Sequence, residues 1–329
     1  MTTRRRLVIA LGAGALASPL SSFAQPAAKV WRVGFLATRH VDFVDADYYY
    51  GPFTQGMREL GYIVGKNLLI EWRSAEGKSE RLPELAADLV QLKVDVLIGA
   101  GNLASLAAQK ATTVIPIVVQ GGDPVGTGLV KSLARPGGNI TGFSNMLVDI
   151  VAKVVEMLHT MLPKVTRVAV LVNPTNPGLI LGLNNVQIAS QKLGVKIQPV
   201  EVNTAQDIVN AFSSIVRQKS GALLVLQDPF FIQQKKQIVE LAAKHRLPSA
   251  ALNSEYVEAG GLMSYGPNLR ENFRSAATYV DKIFKGANPG ELPVQQPTRF
   301  EMAVNMKTAN ALGIKVPQTI LIQATRVIE

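Results

Sequence analysis

Asp95-Val96-Leu97-Ile98-Gly99-Ala100-Gly101-Asn102, followed after a helical stretch by Ile115-Pro116-Ile117-Val118-Val119-Gln120-Gly121-Gly122-Asp123, is the part of the chain on which its fold turns. Each half is a short apolar run that ends abruptly in glycine and polar residues. Runs that are apolar at every position suit parallel strands covered on both faces, and a helix between two of them makes a βαβ unit. The same order of strand, helix, strand and polar loop returns at Ala222 to Glu255 with unrelated residues, which predicts two similar halves.

Working outward, further strand-like runs lie at Trp31 to Ala37, Arg167 to Val172, Val195 to Val202, Ala222 to Gln227, Pro248 to Leu252 and Gly261 to Tyr265. Amphipathic helical stretches lie at Arg81 to Lys93, Asp149 to Leu162, Ala205 to Lys219 and Phe231 to His245. The pattern predicts an α/β protein with two Rossmann-like parallel-sheet lobes joined by a multi-strand hinge. The expected division is residues 29–144 plus 266–292 in lobe 1, and 145–265 plus 293–329 in lobe 2. Several crossing segments, in place of one flexible linker, would restrict motion to a hinge.

The N-terminus carries Arg4-Arg5-Arg6, an apolar run from Leu7 to Leu20, and the small-x-small step Ser22-Phe23-Ala24. Residues 1–24 therefore read as a signal peptide. The run is about 14 residues long, short of the roughly 20 needed to span a bilayer. Export through the Sec or the twin-arginine route is expected, to a periplasm, with nothing membrane-spanning after cleavage. Cysteine is absent, which excludes disulfides, a thiolate nucleophile and Cys-based zinc sites. The formal charge is +10, and loss of the three leader arginines leaves 31 basic against 24 acidic side chains. Lys235-Lys236 is the only adjacent basic pair after the leader, so no nucleic-acid partner is expected.

In parallel sheets, ligands collect beyond the carboxyl ends of the strands. The loops there hold Thr38, Arg39 and His40; Gly101 and Asn102; Gly122 and Asp123; Asn173 and Asn176; Gln227 and Asp228; and Tyr256. Gly99-Ala100-Gly101-Asn102 reads either as a place where backbone approaches a ligand or as an ordinary tight turn. Asp123 and Asp228 each stand beside a proline and suit either a ligand amine or a helix cap. Tyr48-Tyr49-Tyr50 reads either as a stacking surface in a cleft or as packing at a lobe edge.

Catalytic signatures are missing from the sequence. No serine stands in a Gly-x-Ser-x-Gly elbow, no His-Glu-x-x-His occurs, and no P-loop or GxGxxG spacing follows the glycine-rich turns. His159 and His245 fall on helical stretches. The acids from Asp42 to Asp47 lack the glycine and distal glutamate of a calcium loop. No catalytic residue, metal or cofactor is expected, and an exported α/β hydrolase is disfavoured.

The motif set resembles the ABC-transporter substrate-binding family of the TrpX-like type, within the type I periplasmic-binding fold. It runs from Gly34-Phe35-Leu36 through Phe53-Thr54-Gln55-Gly56-Met57-Arg58-Glu59-Leu60-Gly61-Tyr62, Gly122-Asp123-Pro124-Val125, Arg135-Pro136-Gly137-Gly138-Asn139-Ile140-Thr141-Gly142 and Val172-Asn173-Pro174. It continues through Asp228-Pro229-Phe230-Phe231, Gly260-Gly261-Leu262-Met263-Ser264-Tyr265-Gly266 and Leu292-Pro293-Val294-Gln295-Gln296-Pro297-Thr298. The resemblance implies a receptor, not an enzyme, that closes on a small molecule and docks, as a monomer, on an ABC permease with a cytoplasmic ATPase. Its ligand would be amino acid-like or aromatic, gripped by residues of the loops above and by Tyr265. A receptor of the same fold feeding a signalling partner is the alternative. Ala251 and Leu252 depart from the aromatic and charged residues common in relatives, and Asn102 stands where they carry a small or hydroxylated side chain.

Overall fold

Five short strands, mostly apolar except for the edge strand β2, build the first sheet: β1 (Trp31–Ala37), β2 (Leu68–Ser74), β3 (Val96–Ala100), β4 (Ile117–Gly121) and β5 (Ile140–Ser144). A computed structural model describes residues 29–39 and 46–329, and for residues 46–50 and 148 the backbone alone. The expected signal peptide, His40, the acids at 42–45 and the side chains of Tyr48, Tyr49 and Tyr50 lie outside the described residues. Everything below belongs to one unit, Trp31–Glu329.

The five strands are parallel in the order β2-β1-β3-β4-β5. Register sets Ala37 beside Ala100 and Ala100 beside Gln120, so the carboxyl ends of β1, β3 and β4 finish level. Successive side chains point to opposite faces of a strand. Accordingly Phe35 enters the core shared with α1 (Ala46–Glu59) and α10 (Leu269–Phe284), where it meets Phe53 and Phe273. Its neighbour Leu36 enters the core on the other face, with α2 (Leu82–Gln91) and α3 (Asn102–Ala111). On β5, Gly142 has φ +139°, and a Cβ there would lie 2.2 Å from the Val119 carbonyl oxygen; only glycine fits.

The second sheet contains β6 (Arg167–Val172), β7 (Lys196–Glu201), β8 (Ala222–Val225), β9 (Ser249–Ala251), β10 (Met263–Pro267), β11 (Phe300–Asn305) and β12 (Arg326–Ile328), in the order β12-β11-β10-β9-β8-β6-β7. Strands β6 to β10 repeat the arrangement of the first sheet. At the edge, β11 runs antiparallel to β10 and carries β12 parallel to itself. Helices α4 (Leu147–Met161) and α5 (Pro177–Lys192) pack on each other, as do α6 (Ala205–Arg217) and α8 (Lys235–Lys244). The single helix expected at Phe231 to His245 is two: α7 (Pro229–Gln233) ends and α8 begins around Gln234, whose ψ of 11° leaves the helical range. Strand β8 stops at Val225, short of the expected Gln227, because Asp228 already caps α7.

The chain passes between the sheets three times. After β5 it turns through Met146, a non-glycine residue at φ 52°, into α4. After β10, Asn268 caps α10 by accepting the Glu271 N–H at 3.1 Å. Gln295 pairs with the backbone of Gly142 and Ser144 before the chain reaches β11.

Candidate functional site

In the order 2-1-3-4-5, β1 and β3 are neighbours whose connections leave in opposite directions, which opens a crevice beyond their carboxyl ends. The second sheet offers the same crevice between β6 and β8. The two crevices face each other across a cleft of about 630 Å³, solvent-facing part included.

One wall comes from the first sheet: Thr38 and Arg39 after β1, Gly101 and Asn102 after β3, and Gln120, Gly121 and Gly122 at the end of β4. The opposite wall is Asn176, Gln227, Pro229 and Ile232. Asn145 and Leu147 from the first crossing, with Leu269 and Phe273 from α10, close the hinge side. The described lining is thus polar but uncharged apart from Arg39, with an apolar floor and one ring.

Among the described residues, two polar contacts reach from one wall of the cleft to the other. Asn102 Oδ1 accepts the Gly122 N–H at 2.9 Å, and its Nδ2 donates to Asn176 Oδ1 at 3.4 Å. Asn176 in turn donates to Asp228 Oδ2 at 2.7 Å, while Asp228 Oδ1 accepts the Phe230 N–H at 2.8 Å. Asp228 is 1% exposed, and burial pushes its carboxyl up from the ordinary 3.8 against the opposing pull of Asn176, Phe230 and Asn173. The second contact is a buried pair, Arg39 Nη1 to Glu255 Oε1 at 3.7 Å, with Lys235 Nζ 3.5 Å from the same oxygen. Burial raises the Glu255 carboxyl above its ordinary value, and the two cations oppose that rise.

Of the residues singled out from sequence, Thr38, Arg39, Gly101, Asn102, Gly122, Asn176 and Gln227 meet in this cleft. Asn173 and Asp228 stand behind Asn176. Asn173 Oδ1 is taken up by the N–H and hydroxyl of Thr175, at 3.1 and 2.8 Å. Asp123 is outside the lining: its Oδ1 accepts the N–H groups of Val125 and Gly126, the cap-like alternative. Tyr256, on α9 (Ser254–Glu258), is buried in the second core against Gly261, and burial raises its hydroxyl. Tyr265 is half-buried on β10 and stacks on Phe300, with centroids 5.8 Å apart.

Sequence reasoning reached Gln120 and Pro229 only as members of the candidate loops, and did not single out Asn145, Leu147, Ile232, Leu269 or Phe273. For Gln120 a signal existed, since it ends an apolar run inside a glycine-rich loop. Leu269 and Phe273 carried none, because a helix far along the chain delivers them. Glu255 likewise stood out only as part of its loop. Among the described residues no group of three acidic or histidine side chains suits a metal, and no helix is long and apolar enough to cross a membrane.

A family model described as ABC transporter substrate binding protein matches residues 41–328. The tyrosine-binding protein of Clostridioides difficile (strain R20291) is 26% identical over 264 residues, covering 80% of this chain and 76% of that protein. The crystal structure of a conserved domain protein from Vibrio cholerae O1 biovar El Tor is 29% identical, with TM-score 0.85, covering 91% of this chain and all of that one. An ABC domain from Streptococcus pneumonia in complex with L-Trp has the same fold at 24% identity, with TM-score 0.81, covering 90% of this chain and 100% of that one.

Proposed function

Because the chain belongs to the ABC transporter substrate-binding protein family, and two of its relatives are a tyrosine-binding protein and a domain in complex with L-Trp, we propose that it is the periplasmic receptor of an ABC importer. It binds a small amino acid-like or aromatic solute between its lobes and presents the closed form to a permease driven by a cytoplasmic ATPase. The observation that carries this reading is the meeting of two strand-end crevices, one from each sheet, at a single cleft. A ligand there touches both lobes at once, so binding and closure are one event.

Thr38, Arg39, Gly101, Asn102, Gly122, Asn176 and Gln227 are the contacts we assign to the ligand, with Asp228 and Asn173 holding Asn176 in place. The tyrosine and tryptophan named for two relatives suit a cleft with an apolar floor and polar walls. The receptor acts as a monomer, and the apolar segment Leu7 to Leu20 with its arginines supports export.

The test is thermal unfolding of protein freed of carried-over ligand by denaturation and refolding. Tyrosine, tryptophan, other amino acids and aromatic acids are added singly at rising concentration. A ligand selective for the native state raises the melting temperature by mass action, about 2.7 kcal/mol at a hundred times Kd. No shift across the whole set overturns the reading.

A further inference from the structure

Two buried polar atoms of residues in the cleft wall have no hydrogen-bond partner among the described residues: Thr38 Oγ1 and Gln120 Oε1. Thr38 is 1% and Gln120 3% exposed. A buried polar atom left without a hydrogen bond is rare in a folded protein, so one carried by a residue that lines a cleft marks a place where a ligand completes the bonding. The two atoms differ in what they ask for. A hydroxyl both donates and accepts, so Thr38 takes almost any polar group. An amide oxygen only accepts.

The amide of Gln120 is also held one way round. Its Nε2 donates to the backbone carbonyl of Asn272, on α10, at 3.3 Å and 152 residues away in sequence. A carbonyl only accepts, so the amide end that faces Asn272 must be the NH2, and the oxygen is the end left over. Asn272 is fixed in its turn, since its side chain donates to Asn145 Oδ1 at 3.2 Å. Gln120 therefore cannot turn to offer a donor without breaking the contact that orients it.

We infer that Gln120 selects the ligand by its amine: the cleft takes solutes that present an N–H donor, above all the ammonium group of an amino acid, to Gln120 Oε1. The inference rests on the receptor reading above and narrows it from amino acid-like or aromatic solutes to amine-bearing ones. A neutral amide oxygen holds an ammonium group without placing a second carboxylate in the cleft. Arg39, beside Thr38 in the cleft wall, is the charged side chain of the described lining and suits the carboxylate of the same solute. An aromatic or aliphatic acid lacking the amine would leave Gln120 Oε1 unpaired on closure, and sites built around such a bond discriminate strongly against ligands without it.

The experiment is titration calorimetry on refolded, ligand-free protein with three matched pairs: tyrosine against 3-(4-hydroxyphenyl)propanoate, tryptophan against indole-3-propanoate, and leucine against 4-methylpentanoate. For any pair whose amino acid binds, the des-amino partner is expected to bind about 100-fold more weakly. Gln120→Met, with its ligand-free melting temperature as the check that it folds, is expected to bring the two members to within about threefold of each other. Equal binding of a pair by the unaltered protein overturns the inference and leaves the receptor reading standing. Preserved discrimination in folded Gln120→Met also overturns it. If no amino acid in an extended set binds while des-amino acids do, the inference falls alone; if nothing binds at all, both fall.

Discussion

Asn102 and Asn176 meet across the cleft, one from the end of β3 and the other from the loop after β6, and each is held on its own side by a second bond. The Gly122 N–H fixes the oxygen of Asn102, and Asp228 fixes the nitrogen of Asn176. Each asparagine therefore offers its partner the complementary half of its amide. The contact depends on closure, and its geometry is prepared within each lobe before the lobes meet.

Gly178, near the start of α5, tests that dependence. A Cβ at this position would lie 1.9 Å from Asn102 Nδ2, and Asn102 has little freedom to yield while Gly122 holds it. Alanine is better than glycine in a helix by about 1 kcal/mol, so Gly178→Ala is not expected to weaken its own lobe. We expect a ligand-free melting temperature that is unchanged or higher, together with at least roughly tenfold weaker binding, equivalent to about 1.4 kcal/mol. Calorimetry and thermal unfolding on one preparation separate the two effects.

Asp228→Ala removes the cap of α7 and leaves the Asn176 and Phe230 donors without their acceptor. Loss of a cap typically costs about 1 kcal/mol, and buried donors left unpaired cost about 1–3 kcal/mol. An overall loss of about 2–3 kcal/mol in chemical denaturation is expected, with weaker ligand binding because Asn176 loses its anchor.

The pH dependence of the same pair of proteins has a definite sign. Burial raises the Asp228 carboxyl above 3.8, so the native state holds this proton more tightly than the unfolded chain does. The corresponding stability is fully present below 3.8 and is lost as pH rises through the native value. The stability gap between the unaltered protein and Asp228→Ala should therefore be widest in acid and narrow as pH rises from 3.8. Denaturation series at several pH values measure it, and a gap that widens with rising pH contradicts the assignment.

Glu255→Gln removes the charge that draws Arg39 of the first lobe to the second. The pair is buried, yet its separations of 3.7 and 3.5 Å are long for charge-assisted hydrogen bonds. Its worth falls between an exposed pair, under about 1 kcal/mol, and a tightly bonded buried one, about 3–5 kcal/mol. A shift of about 2 kcal/mol toward separated lobes is expected, seen by small-angle scattering as a larger ligand-free radius of gyration and by calorimetry as weaker binding.

Much of this protein could be read from short stretches. Parallel strands buried on both faces produce apolar runs, and the chain must leave each run through polar and glycine residues. That is why the order of residue types alone located Thr38, Arg39, Gly101, Asn102 and Gly122. Asn176 and Gln227 were legible for the same reason in the repeated half. The strands β11 and β12 were less so, because β11 runs antiparallel to β10, outside the βαβ pattern, and β12 is three residues long at the sheet edge and pairs with β11 alone.

What the local pattern leaves open is where a side chain goes once the elements pack. Tyr256 and Tyr265 sit near strand ends as a ligand contact should, but their rings turn into the second core and onto Phe300. Asp123 and Asp228 share a proline neighbour and diverge: one closes an exposed turn, the other is buried and holds an asparagine that reaches across the cleft. By itself, the sequence determined the α/β class, the two halves and the loops that could face a ligand, because strand and helix periodicity and turn chemistry act over a few residues. Tertiary structure alone decided that Gln120 is pinned by Asn272, that Arg39 meets Glu255, and that Asn102 meets Asn176. Burial, charge pairing and hydrogen-bond satisfaction act through space between residues far apart in the chain.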